Sequence, residues 1–161
     1  MSKIAPCLWF DGQAEDAAEF YTSILPDSQI KSVNRAAADT PSGPEGSVLT
    51  VDFTLDGQRF IGLNGGPAHP FTEAISFSID CEDQAEVDRY WDALIEDGGA
   101  PDQCGWLKDR FGVSWQVIPR ILPELLESSD PEVAARTMEA MLQMIKIDVD
   151  TLRAAAQGVR A

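Results

Sequence analysis

The chain has 161 residues, a length that suits one ordinary domain whose core needs no disulfides. Its formal net charge of −15 opposes nucleic-acid binding, which needs clustered Lys and Arg, and disfavours anionic membrane surfaces. Three dispersed cysteines, Cys7, Cys81 and Cys104, form no C-x-x-C pair and argue against a disulfide framework or a structural zinc site. No apolar run approaches the roughly 20 residues that span a bilayer, and Met1 to Phe10 lacks the pattern of a secretory leader. A soluble, cytoplasmic protein with no membrane or nucleic-acid partner is expected, its charge serving solubility.

Pro6 to Phe10 reads as a short strand ended by Asp11-Gly12. Ala14, Ala17, Phe20, Tyr21, Ile24 and Leu25 then recur at helical spacing, and Pro26-Asp27-Ser28 stops that helix. A second strand covers Gln29 to Asn34. Arg35 to Ser47, rich in Ala, Pro, Gly and Ser, reads as a mobile loop. Val48 to Leu55 alternates branched apolar and polar residues, Asp56-Gly57 signals a hairpin, and Arg59 to Leu63 returns. Asn64-Gly65-Gly66-Pro67 breaks the pattern.

A strand over Ala74 to Ile79 and a helix over Gln84 to Glu96 follow, the helix burying Val87, Tyr90, Trp91, Leu94 and Ile95 before Gly98-Gly99. Gly105 to Lys108 and Val113 to Ile118 read as strands joined by a turn at Asp109 to Gly112. Leu8 and Phe10 match Phe77 and Ile79, and Phe60 matches Trp115, in an internal repeat of strand, helix, strands. In the tail, Ser129 or Asp130 caps a helix carrying Val133, Met138, Met141, Leu142 and Ile145. Asp148 caps a last short helix through Ala156. Packing is the expected use of that methionine-rich stripe.

The segments PCLWFDGQAEDAAEFY, VLTVDFTLDGQRFIGLNGGP and CGWLKDRFGVSWQVIPR resemble the PhnB-like branch of the vicinal oxygen chelate superfamily. Its members are often labelled 3-demethylubiquinone-9 3-methyltransferase domain proteins. The resemblance extends to ARTMEAMLQMIKID. It implies an α+β fold of two βαβββ modules, of the glyoxalase/bleomycin resistance/dihydroxybiphenyl dioxygenase type, plus C-terminal helices. The boundaries expected within a single domain are about 1–67 for module one, 68–119 for module two and 120–161 for the helical extension. A homodimer is implied as well, because cavities in the superfamily are commonly completed between two chains.

The superfamily's enzymes hold a divalent ion with His and Glu ligands from the first and last strands of each module. Here those positions fall on Pro6 or Cys7, Ile61, Ser76 or a neighbour, and Gln116, none of them His or Glu. The only histidine, His69, lies in a Pro-flanked loop. No metal and no other cofactor is expected. A usual S-adenosylmethionine site needs a glycine-rich turn after a first parallel strand, a plan that Asn64-Gly65-Gly66 does not follow. Asp109-Arg110-Phe111-Gly112 reads as a hairpin turn, and Cys7 or Cys104 as structural thiols.

Trp9, Phe60, Trp106, Trp115 and Gln116 lie on strands that line or back the sheet cavities, and they are the candidate contacts for a small-molecule ligand. Three functions stay open: a metal-independent binding protein, a lyase, isomerase or dioxygenase using a departed set such as Glu73, His69 and Gln116, and a sequestering module. The methyl transfer named by the label is disfavoured.

Overall fold

The computed structural model describes residues 3–159. The chain divides into two compact units, Met1–Phe71 and Thr72–Ala161. In the first, β1 (Cys7–Phe10), α1 (Ala14–Ile24), β2 (Gln29–Arg35), β3 (Val48–Leu55) and β4 (Gln58–Asn64) build a sheet of order β1-β4-β3-β2. In the second, β5 (Ser76–Cys81), α2 (Gln84–Ile95), β6 (Ala100–Pro101), β7 (Trp106–Lys108) and β8 (Ser114–Pro119) build a sheet of order β5-β8-β7-β6. Each sheet pairs its first and last strands in parallel and the others antiparallel. This is the duplicated βαβββ order expected from the repeat. The sequence boundaries shift by a residue or two, β5 by two at each end. The strand β6 is an addition: two residues with Pro101 carry too little pattern to read.

Asp56-Gly57 makes the β3–β4 turn because both residues take positive φ, 47° and 73°, as a tight hairpin requires. The segment read as a mobile loop between β2 and β3 closes on itself. Ala36 N–H donates to the Ser47 carbonyl and Gly46 N–H to the Ala36 carbonyl, and a bridge joins Thr40 to Gly43.

One face of each sheet is buried under one helix. In the first unit α1 buries Ala14, Ala17, Ala18 and Tyr21 against Val51, Phe53 and Phe60. Small residues allow close approach: a Cβ on Gly62 would lie 3.2 Å from that of Ala14. In the second, α2 buries Val87, Tyr90, Trp91 and Leu94 over Ile79, Leu107, Trp115 and Val117. Its start is tied down by two side chains. Asp83 accepts from Glu86 N–H (3.0 Å), and the Glu86 carboxylate accepts from Glu82 N–H (2.9 Å).

The tail forms α3 (Ile121–Leu126), α4 (Pro131–Met141) and α5 (Val149–Ala156). The helix α3 was not anticipated, since Pro123 masks it in the sequence. A proline is tolerated there because it sits in the first turn. Asp130 and Asp148 cap α4 and α5 as expected, accepting from Glu132 N–H and Thr151 N–H. Leu122, Ile147 and Leu152 are buried with Met141 and Met144 against them, whereas Met138, Leu142 and Ile145 of the same stripe stay exposed.

The segment before α5 is strapped to the second module. Cys104 and Gly105 N–H donate to the Met144 and Ile145 carbonyls. Gln84 donates to the Ile147 carbonyl and accepts from Val149 N–H. Lys146 pairs with Asp88 at 2.8 Å. Donation from Lys146, then from Gln84, holds the Asp88 carboxyl below its ordinary value, and the bond to Asp88 raises Lys146. A depressed carboxyl stabilises the fold above its unfolded pKa, and that contribution is lost as pH falls through the folded value. A raised ammonium contributes below its unfolded pKa and loses its share as pH rises through the folded value. Asp88→Asn is therefore expected to flatten the acid limb of a stability-versus-pH curve and to speed amide exchange of Val149. An acid limb unchanged from that of the parent would refute the assignment.

All three thiols are free. Cys81 is buried, and burial followed by the Glu86 charge pushes its pKa up to about 12. The thiolate is the reactive form. Alkylation of the native protein near neutral pH should spare Cys81 until denaturant is added, as peptide mass mapping would read.

Candidate functional site

Alternation along the strands separates the five candidate residues into two groups. Phe60 lies on the α1 side, buried, its ring stacked on Phe53 at 5.6 Å, and Phe53 in turn meets Tyr21. Trp115 lies on the α2 side, also buried, against Phe77. Its indole N–H donates to Asp109 Oδ2 at 2.8 Å. Both back their sheets from within the helix-side cores, Phe60 at 6% and Trp115 at 2% exposure. Large aromatic rings are the best fillers of a helix–sheet interface, and that demand wins at both positions.

Trp9, Trp106 and Gln116 have the opposite parity and lie half-buried on the outer faces, turned away from the helices. Trp9 is held in place. Its indole N–H donates to the Gly66 carbonyl at 2.7 Å, and His69 meets it edge to face at 4.8 Å. Gly65 lies flat against the ring, and any Cβ there would overlap the indole.

Asn64 fixes the end of β4. Its Oδ1 accepts from Ala14 N–H (2.8 Å), capping α1 where Gln13 makes no cap bond, and its Nδ2 donates to the Val48 carbonyl (3.0 Å). Asp109, 3% exposed, does the equivalent work in the β7–β8 turn, accepting from Phe111 N–H, Val113 N–H and the Trp115 indole. The turn reading of Asp109 to Gly112 is thus given a cause.

Register places the positions that the resemblance assigns to metal ligands. Cys7 lies beside Ile61 across the parallel β1–β4 pair, and Gln116 Nε2 donates to Ser76 Oγ at 2.9 Å across β8–β5. A thiol whose pKa burial raises, a hydrocarbon, a hydroxyl and an amide are not a divalent-ion donor set of the His and Glu kind. The alternative donors are engaged elsewhere, Glu73 with Lys108 and His69 with Trp9. Among the described residues no group of three or more His, Cys, Asp or Glu is placed to hold a metal.

The outer face of the second sheet carries residues that sequence reasoning passed over. Ser114 stands opposite Lys108 on one side and Ser76 on the other, making a row across β7, β8 and β5. Trp106, Gln116 and Ser78 make the next row. Ser114 is 2% exposed, and among the described residues its hydroxyl has no hydrogen-bond partner. The available signal was the alternation Ser114, Gln116 against Trp115, Val117 within β8. Away from both sheets, a groove between α4 and α5 is lined by Arg136, Glu139, Thr151 and Val159, among others, and by none of the candidates.

The family model for 3-demethylubiquinone-9 3-methyltransferase matches residues 2–118. The chain belongs to this family. A PhnB protein from Bacillus cereus is 38% identical over 73% of this chain and 99% of its own, with a TM-score of 0.65. Protein PA1353 from Pseudomonas aeruginosa, at 23% identity, covers 74% of this chain and 98% of its own, with a TM-score of 0.59. The fosfomycin resistance protein FosX from Listeria monocytogenes shares only the fold, at 11% identity, 77% and 97% coverage and a TM-score of 0.52. No curated protein matches. The PhnB-like assignment and the glyoxalase/bleomycin resistance fold therefore hold. The family match ends at Ile118, before the C-terminal helices.

Gly65→Ala is expected to force the Trp9 ring from its place and to cost about 1–3 kcal/mol, the range for overpacking a filled site. Urea denaturation followed by tryptophan fluorescence would measure it. A midpoint equal to that of the parent would show that the ring is free to move.

Proposed function

We propose that this PhnB-like chain is a metal-independent protein that binds small molecules, with Trp9 as the candidate contact on the outer face of the first sheet and Trp106 and Gln116 as those on the outer face of the second. The observation that carries the reading is the hydrogen bond from Gln116 to Ser76. Two residues at positions expected to grip an ion satisfy each other instead. A neutral amide and a hydroxyl orient a polar ligand through hydrogen bonds, while half-buried indoles supply apolar surface.

The proposal includes a homodimer, as the resemblance implies, and a cytoplasmic setting, which suits free thiols and a net charge of −15. Among the described residues no helix is long and apolar enough to cross a membrane. Methyl transfer, which the family's description names, finds little support. Asn64-Gly65-Gly66 leaves β4 for a turn at residues 67–68 rather than opening a helix, and each sheet has a single parallel strand pair.

Elemental analysis of the full chain, purified without affinity tag or chelator, should find only substoichiometric metal. Tightly bound nickel, zinc or iron at one ion per chain would overturn the reading.

A further inference from the structure

This inference deepens the binding reading and rests on it. We propose that the outer face of the second sheet takes a small aromatic monocarboxylate, its carboxylate received by Lys108, Ser114 and Ser76 and its ring lying toward Trp106.

The hydrogen-bond account of the row gives the sign of the ligand. Buried hydroxyls are nearly always partnered, and the Ser114 hydroxyl, 2% exposed, is not. Ser76 Oγ accepts from Gln116, which leaves its own O–H proton to give. Lys108 carries three N–H donors and, among the described residues, pairs with Glu73. What the row offers is therefore donors, side by side on adjacent strands about 5 Å apart. A carboxylate has two oxygens and about four acceptor sites, and it matches that surplus.

Glu73 already shows that the Lys108 ammonium takes a carboxylate. Both side chains are about half exposed, at 41% and 55%, so exchanging Glu73 for a ligand costs little. Lys108 stands directly opposite Ser114. Trp106 lies two residues along β7, about 7 Å from the charged row, a spacing that a carboxylate joined to a six-membered ring bridges. Gln116, the residue opposite Trp106, carries no cationic group that would receive a second anion at that end.

The test is calorimetric titration of the full chain with benzoate and with benzamide, which has the same shape and no charge. Benzoate should bind saturably, and benzamide about tenfold or more weaker, as loss of a charge-assisted contact implies. Lys108→Met and Ser114→Ala should each weaken benzoate severalfold. Ser114→Ala removes an unsatisfied hydroxyl, so its melting temperature should equal or exceed that of the parent, and weakened binding in that variant reports the contact rather than the fold. Equal affinity for the two probes, or benzoate affinity unchanged in both variants, would overturn the assignment. If benzamide binds and benzoate does not, the carboxylate falls while small-molecule binding stands. If neither binds, this face is not the site, and the metal content separately decides the parent reading.

Discussion

Each sheet buries one face under a single helix, and alternation along its strands leaves every second side chain to the other face. That constraint selects what the protein can show a ligand. A slip of one residue would exchange the sets, putting Trp115 and Phe60 outside and Gln116 and Ile61 within. Two buried polar side chains oppose such a slip. Asn64 bonds the start of α1 and the start of β3 at once, and Asp109 bonds two turn amides and the Trp115 indole. Each set of bonds closes only in one pairing. Losing that pairing would leave buried polar groups unsatisfied, at about 1–3 kcal/mol each.

The duplicated frame carries two different outer faces. In the first unit Cys7, Trp9, Ile61 and Leu63 make an apolar stretch on β1 and β4, beside Thr50, Thr54 and the Arg59–Asp52 ion pair on the same face. In the second, Ser76, Ser78, Ser114 and Gln116 dominate and Lys108 adds a cation. The helix-side positions stay alike, since Phe60 and Trp115 both fill a core beneath a helix. Packing holds those positions to large apolar rings, whereas the outer positions are free to differ in chemistry.

Much of the fold was legible in the sequence because its elements carry strong local signals. Period-2 alternation in Val48–Leu55, a hairpin dipeptide at Asp56-Gly57 and aspartates before α4 and α5 each have a direct physical cause. The two-residue β6 and the six-residue α3 were not legible, because neither is long enough to show a period. The candidate site was less readable. An aromatic residue on a strand suits a core and a ligand equally, and the side it takes depends on which parity the helix covers. Serine is also quiet in a sequence. Ser114 stands out only once its neighbours leave its hydroxyl unpaired.

The donor set also limits what the second module can do to a bound molecule. An ammonium, two hydroxyls and an amide position an anion and share its charge through hydrogen bonds. They offer no strong base and no nucleophile with a neighbouring base to activate it. A face that binds an anion this way is suited to holding and orienting it, and the residues that favour binding are the same ones that disfavour general-base chemistry there.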